Sequence, residues 1–163
     1  MKAKTVLEPL KGSYLIDDCQ FLLQPIDIPM LTVEEKERLM QIGGKHYSSM
    51  ISQEHPPSDQ YLTLFFGLVE RYKQRLATEV AGLAKKIIDK KGDTVTLVSL
   101  ARAGTPIGVL LSRALKHYYN ANVSHYSVSI IRDKGIDTAA LEYLEKAGHA
   151  GESILFVDGW TAK

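Results

Sequence analysis

Cysteine is almost absent from this sequence: Cys19 is the single one among 163 residues. One thiol cannot form an intramolecular disulfide or a cysteine-rich zinc site, so both structural explanations are excluded. An excess of one charge is also lacking, because 20 Lys and Arg are balanced by 19 Asp and Glu, for a net charge of +1. No global field therefore attracts nucleic acid or an anionic membrane, and any basic site must be local.

Long apolar runs are missing as well. No stretch reaches the roughly 18 apolar residues of a membrane-spanning helix, and the N-terminal MKAKTVLEPLKG lacks the apolar core of a signal peptide. Repeats and Gly- or Ser-rich linkers are also absent. With 45% hydrophobic residues, the chain can bury one real core, and we expect a soluble cytoplasmic protein.

The most informative pattern is TVTLVSLARAGTPIG, residues 94–108. Its largely apolar run, which leaves no polar face, predicts a strand covered on both faces, and Pro106 suits the first turn of a helix, where its missing N–H costs nothing. The loop between them would lie at the carboxyl end of a central strand. Backbone N–H groups, a helix N-terminus and the Arg102 guanidinium together favour anion binding there.

Further helices and strands alternate along the chain. Spacing and capping residues predict helices over 34–42, 59–90, 106–120 and 138–147, and apolar runs predict strands over 123–131 and 153–157. This order predicts an α/β fold with a mainly parallel sheet flanked by helices, and an N-terminal α+β portion. We divide the chain into an N-terminal portion, 1–92, which includes the long helix, and an α/β core, 93–163.

Three loops, ARAGT, RDKGID and DGWTAK, follow the predicted strands and should converge at one sheet edge. They combine cations with glycines and carboxylates, Asp137 and Asp158 among them. Cations and N–H groups neutralise phosphate oxygens, and carboxylates can hold Mg²⁺ together with substrate oxygens. The edge therefore predicts a polyphosphate ligand with Mg²⁺.

In this order the loops resemble those of type I phosphoribosyltransferases. The blocks GSYLIDDCQFLL, GGKHYSSM, EHPPSDQYL, VSLARAGTPIGVLL, HYSVSIIRDKGID and FVDGWTAK resemble, more closely, a bacterial phosphoribosyltransferase-like family associated with tellurite resistance and stress, whose members also carry the name cysteine protease StiP. The resemblance covers nearly the whole chain. It implies a domain that binds phosphoribosyl diphosphate or a related nucleotide with Mg²⁺.

The resemblance also implies roles for individual residues. The pyrophosphate loop would comprise Ala101, Arg102, Ala103, Gly104 and Thr105. The catalytic loop would contribute Arg132, Asp133 and Lys134. The phosphoribosyl loop would comprise Asp158, Gly159, Trp160, Thr161, Ala162 and Lys163, with Asp158 acting indirectly on the metal. The chain stops inside this last loop, so we expect a fragment, and oligomerisation stays open.

Two alternatives remain beside the transferase. The protease name directs attention to Cys19 as a nucleophile, for which His46 and His55 are the candidate partners and His125, within a strand pattern, ranks lower. A lone cysteine beside an apolar run is more often a buried small hydrophobe, which is the reading we favour. A non-catalytic ligand-sensing module is the third option, because Gly159 replaces the second acid of the phosphoribosyl loop.

Overall fold

The computed structural model describes residues 8–43, 50–131 and 135–160. The strands are β1 (Gln20–Leu22), β2 (Met30–Leu31), β3 (Ile51–Ser52), β4 (Thr94–Leu100), β5 (Asn122–Val128), β6 (Ile130–Ile131), β7 (Gly135–Ile136) and β8 (Ile154–Val157). The α-helices are α1 (Val33–Gln41), α2 (Asp59–Lys91), α3 (Gly104–Tyr119) and α4 (Thr138–Lys146), and a 3-10 turn covers Gly151–Ser153. The predicted α/β class with a mainly parallel sheet is confirmed.

Local capping explains where several helices begin. The Thr32 hydroxyl accepts a hydrogen bond from the Glu35 N–H at 3.1 Å, as its capping-box spacing predicts. Ser58 caps α2 in the same way through the Tyr61 N–H, at 3.2 Å. Asp137 caps α4, because its carboxylate accepts from the Ala139 N–H at 2.9 Å. At the start of these three helices, a side chain thus satisfies an N–H group that the helix itself cannot.

The central sheet has the order β1-β5-β4-β8, and all of its strand pairs are parallel. One face packs on α2 and α3 around a cluster that includes Val95, Leu97 and Leu115. The other face packs around Leu22, Val98 and Leu144, the last of these from α4. Strand β4 is therefore covered on both sides, as its lack of a polar face predicts.

The second buried strand is shorter than its sequence suggests. Strand β5 ends at Val128, and β6 leaves the sheet to form an antiparallel pair with β7.

The chain forms two compact units. One unit joins the chain up to Gln24 with the chain from Gln74 onward, and the other covers Pro25–Lys73. The division at residues 92 and 93 stays a prediction. No helix in the described ranges is both long and apolar enough to cross a membrane.

Ser112 on α3 is fully buried, and its hydroxyl has no hydrogen-bond partner in the described structure. We expect Ser112→Ala to raise the free energy of unfolding by about 1 kcal/mol, because burial of an unpaired hydroxyl costs about 1–3 kcal/mol and alanine is the better helix former. Urea unfolding measures the change.

Ser127→Ala is the matched control. Ser127 is equally buried, but its hydroxyl bonds to the Thr105 hydroxyl at 2.8 Å. Its removal leaves a buried partner unpaired, so we expect a loss of about 1 kcal/mol. Equal losses in the two variants would contradict the assignment of Ser112 as unsatisfied.

Candidate functional site

The loops after β4 and β8 meet at the carboxyl edge of the sheet, as predicted. A Cβ on Gly104 would lie 2.3 Å from the Val157 carbonyl oxygen, and one on Gly159 would lie 2.4 Å from the Ala103 carbonyl oxygen. These glycines thus allow one loop to approach the other, which is a structural reason for two glycines that the resemblance had assigned to the pyrophosphate and phosphoribosyl loops. Residues 132–134 and 161–163 of the predicted loops lie outside the described residues.

The other described side chains of these two loops differ in their surroundings. Arg102 is exposed, whereas Thr105 is buried and its hydroxyl is bonded to Ser127. Asp158 accepts a hydrogen bond from the Trp160 N–H at 3.2 Å, and Trp160 is 77% exposed. Within the described ranges, no cluster of three or more His, Cys, Asp or Glu is arranged to hold a metal ion. The Mg²⁺ expectation stays untested.

Cys19 lies one residue before β1 and is 1% exposed, which confirms the predicted burial. Its sulfur is 4.0 Å from Nε2 of His125 and 3.7 Å from the Gln20 carbonyl oxygen. Of the histidines proposed as partners from sequence, His46 lies outside the described residues and His55 is exposed. The histidine beside the sulfur is thus His125, which ranked lower as a candidate partner because it lies within a strand pattern.

The hydrogen bonds of His125 define its tautomer. Nδ1 lies 2.7 Å from the backbone carbonyl oxygen of Asp18, and a carbonyl only accepts, so Nδ1 carries the proton. In the neutral ring Nε2 is then the acceptor, and the Ser99 hydroxyl, 2.7 Å away, donates to it. The ring therefore directs its one basic nitrogen towards Ser99 and Cys19.

Burial controls the titration of both groups. It lowers the pKa of His125 below the ordinary value, since the charged ring would lose its hydration. Burial, with a smaller contribution from the Asp18 carboxylate, raises the pKa of the Cys19 thiol to about 12. In the described state the thiol is therefore protonated and the imidazole is neutral near pH 7.

A charged clamp holds the backbone next to Cys19. Arg113 of α3 donates from Nε and Nη2 to the two carboxylate oxygens of Asp18, at 2.8 and 2.6 Å. These hydrogen bonds are the main reason why the pKa of Asp18 is below its ordinary value. Lys116, one turn further along α3, donates to the Asp17 carbonyl oxygen at 2.6 Å. The segment that delivers both the thiol and the carbonyl bound to His125 is thus fixed to α3.

Helix α3 covers the Cys19–His125 pair closely because it carries Gly108 at the point of contact. A Cβ at this position would lie 2.2 Å from the Ser99 hydroxyl oxygen and 2.3 Å from Nε2 of His125. The sequence alone did not single out four residues of this cluster, namely Asp18, Ser99, Gly108 and Arg113. The available signal was a serine and a histidine inside two strands that should be buried, because buried polar groups need partners.

The sequence of this chain matches a family model and a known relative. A family model described as tellurite-like stress resistance cysteine protease StiP matches residues 12–163. A relative from Acinetobacter baylyi, named cysteine protease StiP, is 47% identical over 153 residues. The match covers 93% of this chain but only 39% of that relative, so the chain spans well under half of its length. No solved structure matches the chain.

These similarities overturn the phosphoribosyltransferase function predicted from the loops, and with it the expected nucleotide binding. Both names specify a cysteine protease, which had been the alternative. The error has a physical reason: glycines and charges at the carboxyl edge of a parallel sheet are a property of α/β folds that serve many activities. The chain belongs to the family described as tellurite-like stress resistance cysteine protease StiP.

Proposed function

We propose that this chain carries the nucleophilic centre of a cysteine peptidase, with Cys19 as the nucleophile and His125 as its general base. The observation that carries the proposal is the 4.0 Å separation of Cys19 Sγ and His125 Nε2, in a tautomer that leaves Nε2 unprotonated. A nucleophile, a base and a group that orients the base are the parts such a centre needs. Here the Asp18 backbone carbonyl is the orienting group.

The chemistry follows from this arrangement. His125 Nε2 takes the thiol proton, and the Cys19 sulfur attacks the carbonyl carbon of a peptide bond. The peptide C–N bond breaks as Nε2 returns its proton to the leaving amine, which leaves a thioester on Cys19. Water, deprotonated by Nε2, then hydrolyses the thioester and releases the acid with the free thiol.

The described state would be the resting form of this centre. Cys19 is 1% exposed, so a peptide carbonyl reaches the sulfur only after part of the covering chain moves. Because burial is the main cause of the raised pKa of Cys19, the opening that admits substrate would also admit water and lower that pKa. Access and activation of the thiol would therefore occur in one step.

The test combines hydrolysis of a fluorescent denatured protein with labelling by a peptidyl epoxide, a probe that reacts with nucleophilic thiols. We expect Cys19→Ser to abolish hydrolysis and labelling. We expect His125→Gln to reduce both by about 10²–10⁴-fold, the usual contribution of a general base. Mass spectrometry of the labelled peptide identifies the site without ambiguity, since the chain has one cysteine.

His149→Gln is the matched control. His149 is a half-buried histidine whose two ring nitrogens contact the hydroxyls of Thr96 and Tyr126, at 2.9 and 3.1 Å. It has no role in the proposed chemistry, so both signals should persist. Hydrolysis that survives Cys19→Ser, labelling that is indifferent to His125→Gln, or a wild-type chain without either signal would each contradict the proposal.

A further inference from the structure

We propose that Ser99 is a positioning residue that holds the Cys19–His125 pair in its resting form, by occupying the nitrogen lone pair that must accept the thiol proton. This inference rests on the proposed function and adds a group that neither family name assigns. Ser99 itself would not react with substrate. It would act through His125.

Nε2 of His125 has a single lone pair. Since Nδ1 donates to the Asp18 carbonyl, Nε2 is the only acceptor of the neutral ring. The Ser99 hydroxyl lies 2.7 Å from it, whereas the Cys19 sulfur lies 4.0 Å away and is closer to the Gln20 carbonyl oxygen. The serine therefore satisfies the base, and the thiol keeps its proton.

The Ser99 hydroxyl cannot easily turn elsewhere. Ser99 is fully buried, and His125 is the one hydrogen-bond partner of its hydroxyl within the described residues. The backbone of α3 covers it from above at Gly108, where even a methyl group would overlap the hydroxyl oxygen. Rotation away from Nε2 would leave a buried hydroxyl unpaired, which costs free energy. The resting hydrogen bond is thus favoured by its surroundings.

The charged groups around the pair do not depend on this serine. They are the Asp18 carboxylate and its partner Arg113, together with Lys116, whose charge also disfavours protonation of His125. Ser99→Ala leaves all three in place. A change in the titration of Cys19 in that variant therefore does not come from the loss of one of these charges.

The experiment measures the rate at which iodoacetamide alkylates Cys19 as a function of pH. We expect Cys19 in Ser99→Ala to react about tenfold faster than in wild type near pH 7. The midpoint of the pH profile of this rate should be lower by about one pH unit. A tenfold change is about what the loss of one ordinary hydrogen bond to the base produces. Ser99→Thr, which retains the hydroxyl, should react at close to the wild-type rate.

Two controls separate this effect from general loosening of the core. Ser127→Ala removes an equally buried serine hydroxyl from the neighbouring strand, where its partner is Thr105 and not His125, so its rate should stay near wild type. Ser99→Ala combined with His125→Gln should lose the gain, because the freed lone pair is then absent. A gain that persists without His125 would overturn the inference.

The remaining outcomes distinguish this inference from the proposed function. If wild-type reactivity depends on His125 but Ser99→Ala reacts no faster than Ser127→Ala, Ser99 has no such role and the proposed pair stands. If wild-type reactivity is indifferent to His125→Gln, the proposed pair itself fails. If Ser99→Ala does not fold, the ¹⁵N chemical shifts of the His125 ring in the wild-type protein provide the test. We expect a protonated Nδ1 and a hydrogen-bonded, unprotonated Nε2. A protonated Nε2 would overturn the inference.

Discussion

Replacement of Gly108 by alanine should destabilise the protein by about 3 kcal/mol, at the upper end of the usual cost of overpacking a core. The added methyl would meet two buried polar atoms, the Ser99 hydroxyl oxygen at 2.2 Å and Nε2 of His125 at 2.3 Å. Neither atom can withdraw without breaking the hydrogen bond between them, and α3 cannot retreat without opening the core on this face of the sheet. Urea unfolding monitored by circular dichroism gives the change.

Gly82→Ala provides the control for Gly108→Ala. Gly82 is an exposed glycine inside α2, and no atom lies within 4 Å of the position its Cβ would take. Alanine should therefore stabilise the helix by about 0.5–1 kcal/mol, because glycine is the poorer helix former. Opposite signs at two helical glycines would show that contact, and not helix propensity, decides the effect. A Gly108→Ala variant as stable as wild type would contradict the close approach of α3.

Gly104→Ala is expected to cost about 2–3 kcal/mol, for a different steric reason. Its Cβ would lie 2.3 Å from the carbonyl oxygen of Val157 and 3.1 Å from the carbon of the same group. Val157 belongs to β8, which is paired in register with β4. To make room for the methyl group, the start of α3 would have to move away from the backbone of β8. Thermal and urea unfolding both measure the loss.

Gly151→Ala is the matched variant for this second substitution. Gly151 begins the 3-10 turn before β8, and the position of its Cβ is open, with no atom within 4 Å. We expect a change within about 0.5 kcal/mol, as for most surface substitutions. If Gly104→Ala were equally neutral while an anion lost affinity for the loop, the glycine would serve a ligand and not the packing of the two loops.

The sequence by itself determined most of the secondary structure and the class of the fold. Helix α1 and helix α2 begin where Thr32 and Ser58 predict, and β4 is covered on both faces, as expected from apolar side chains on both of them. These features depend on hydrogen bonds and periodicity within a few residues, so they can be read locally. The alternation of such elements was then enough to predict a parallel sheet.

Sequence also singled out Cys19, the nucleophile that we propose, but not the histidine beside it. Cys19 and His125 are separated by 106 residues along the chain, and they meet because β1 adds to the edge of β5 in parallel register. Register is a long-range property, and a shift by one residue would place His125 on the opposite face of the sheet. A histidine within a strand therefore gave no local sign of its partner.

Only the tertiary structure decided which polar groups meet beside Cys19 and what the glycines do. Ser99 and His125 lie on neighbouring strands, and α3 crosses above them at Gly108, so three separate elements create one buried cluster. Likewise, Gly104 and Gly159 follow different strands, yet each allows backbone of the other loop to approach. Residue types at the edge of a sheet show what chemistry is available, but side-chain directions and packing determine which groups meet.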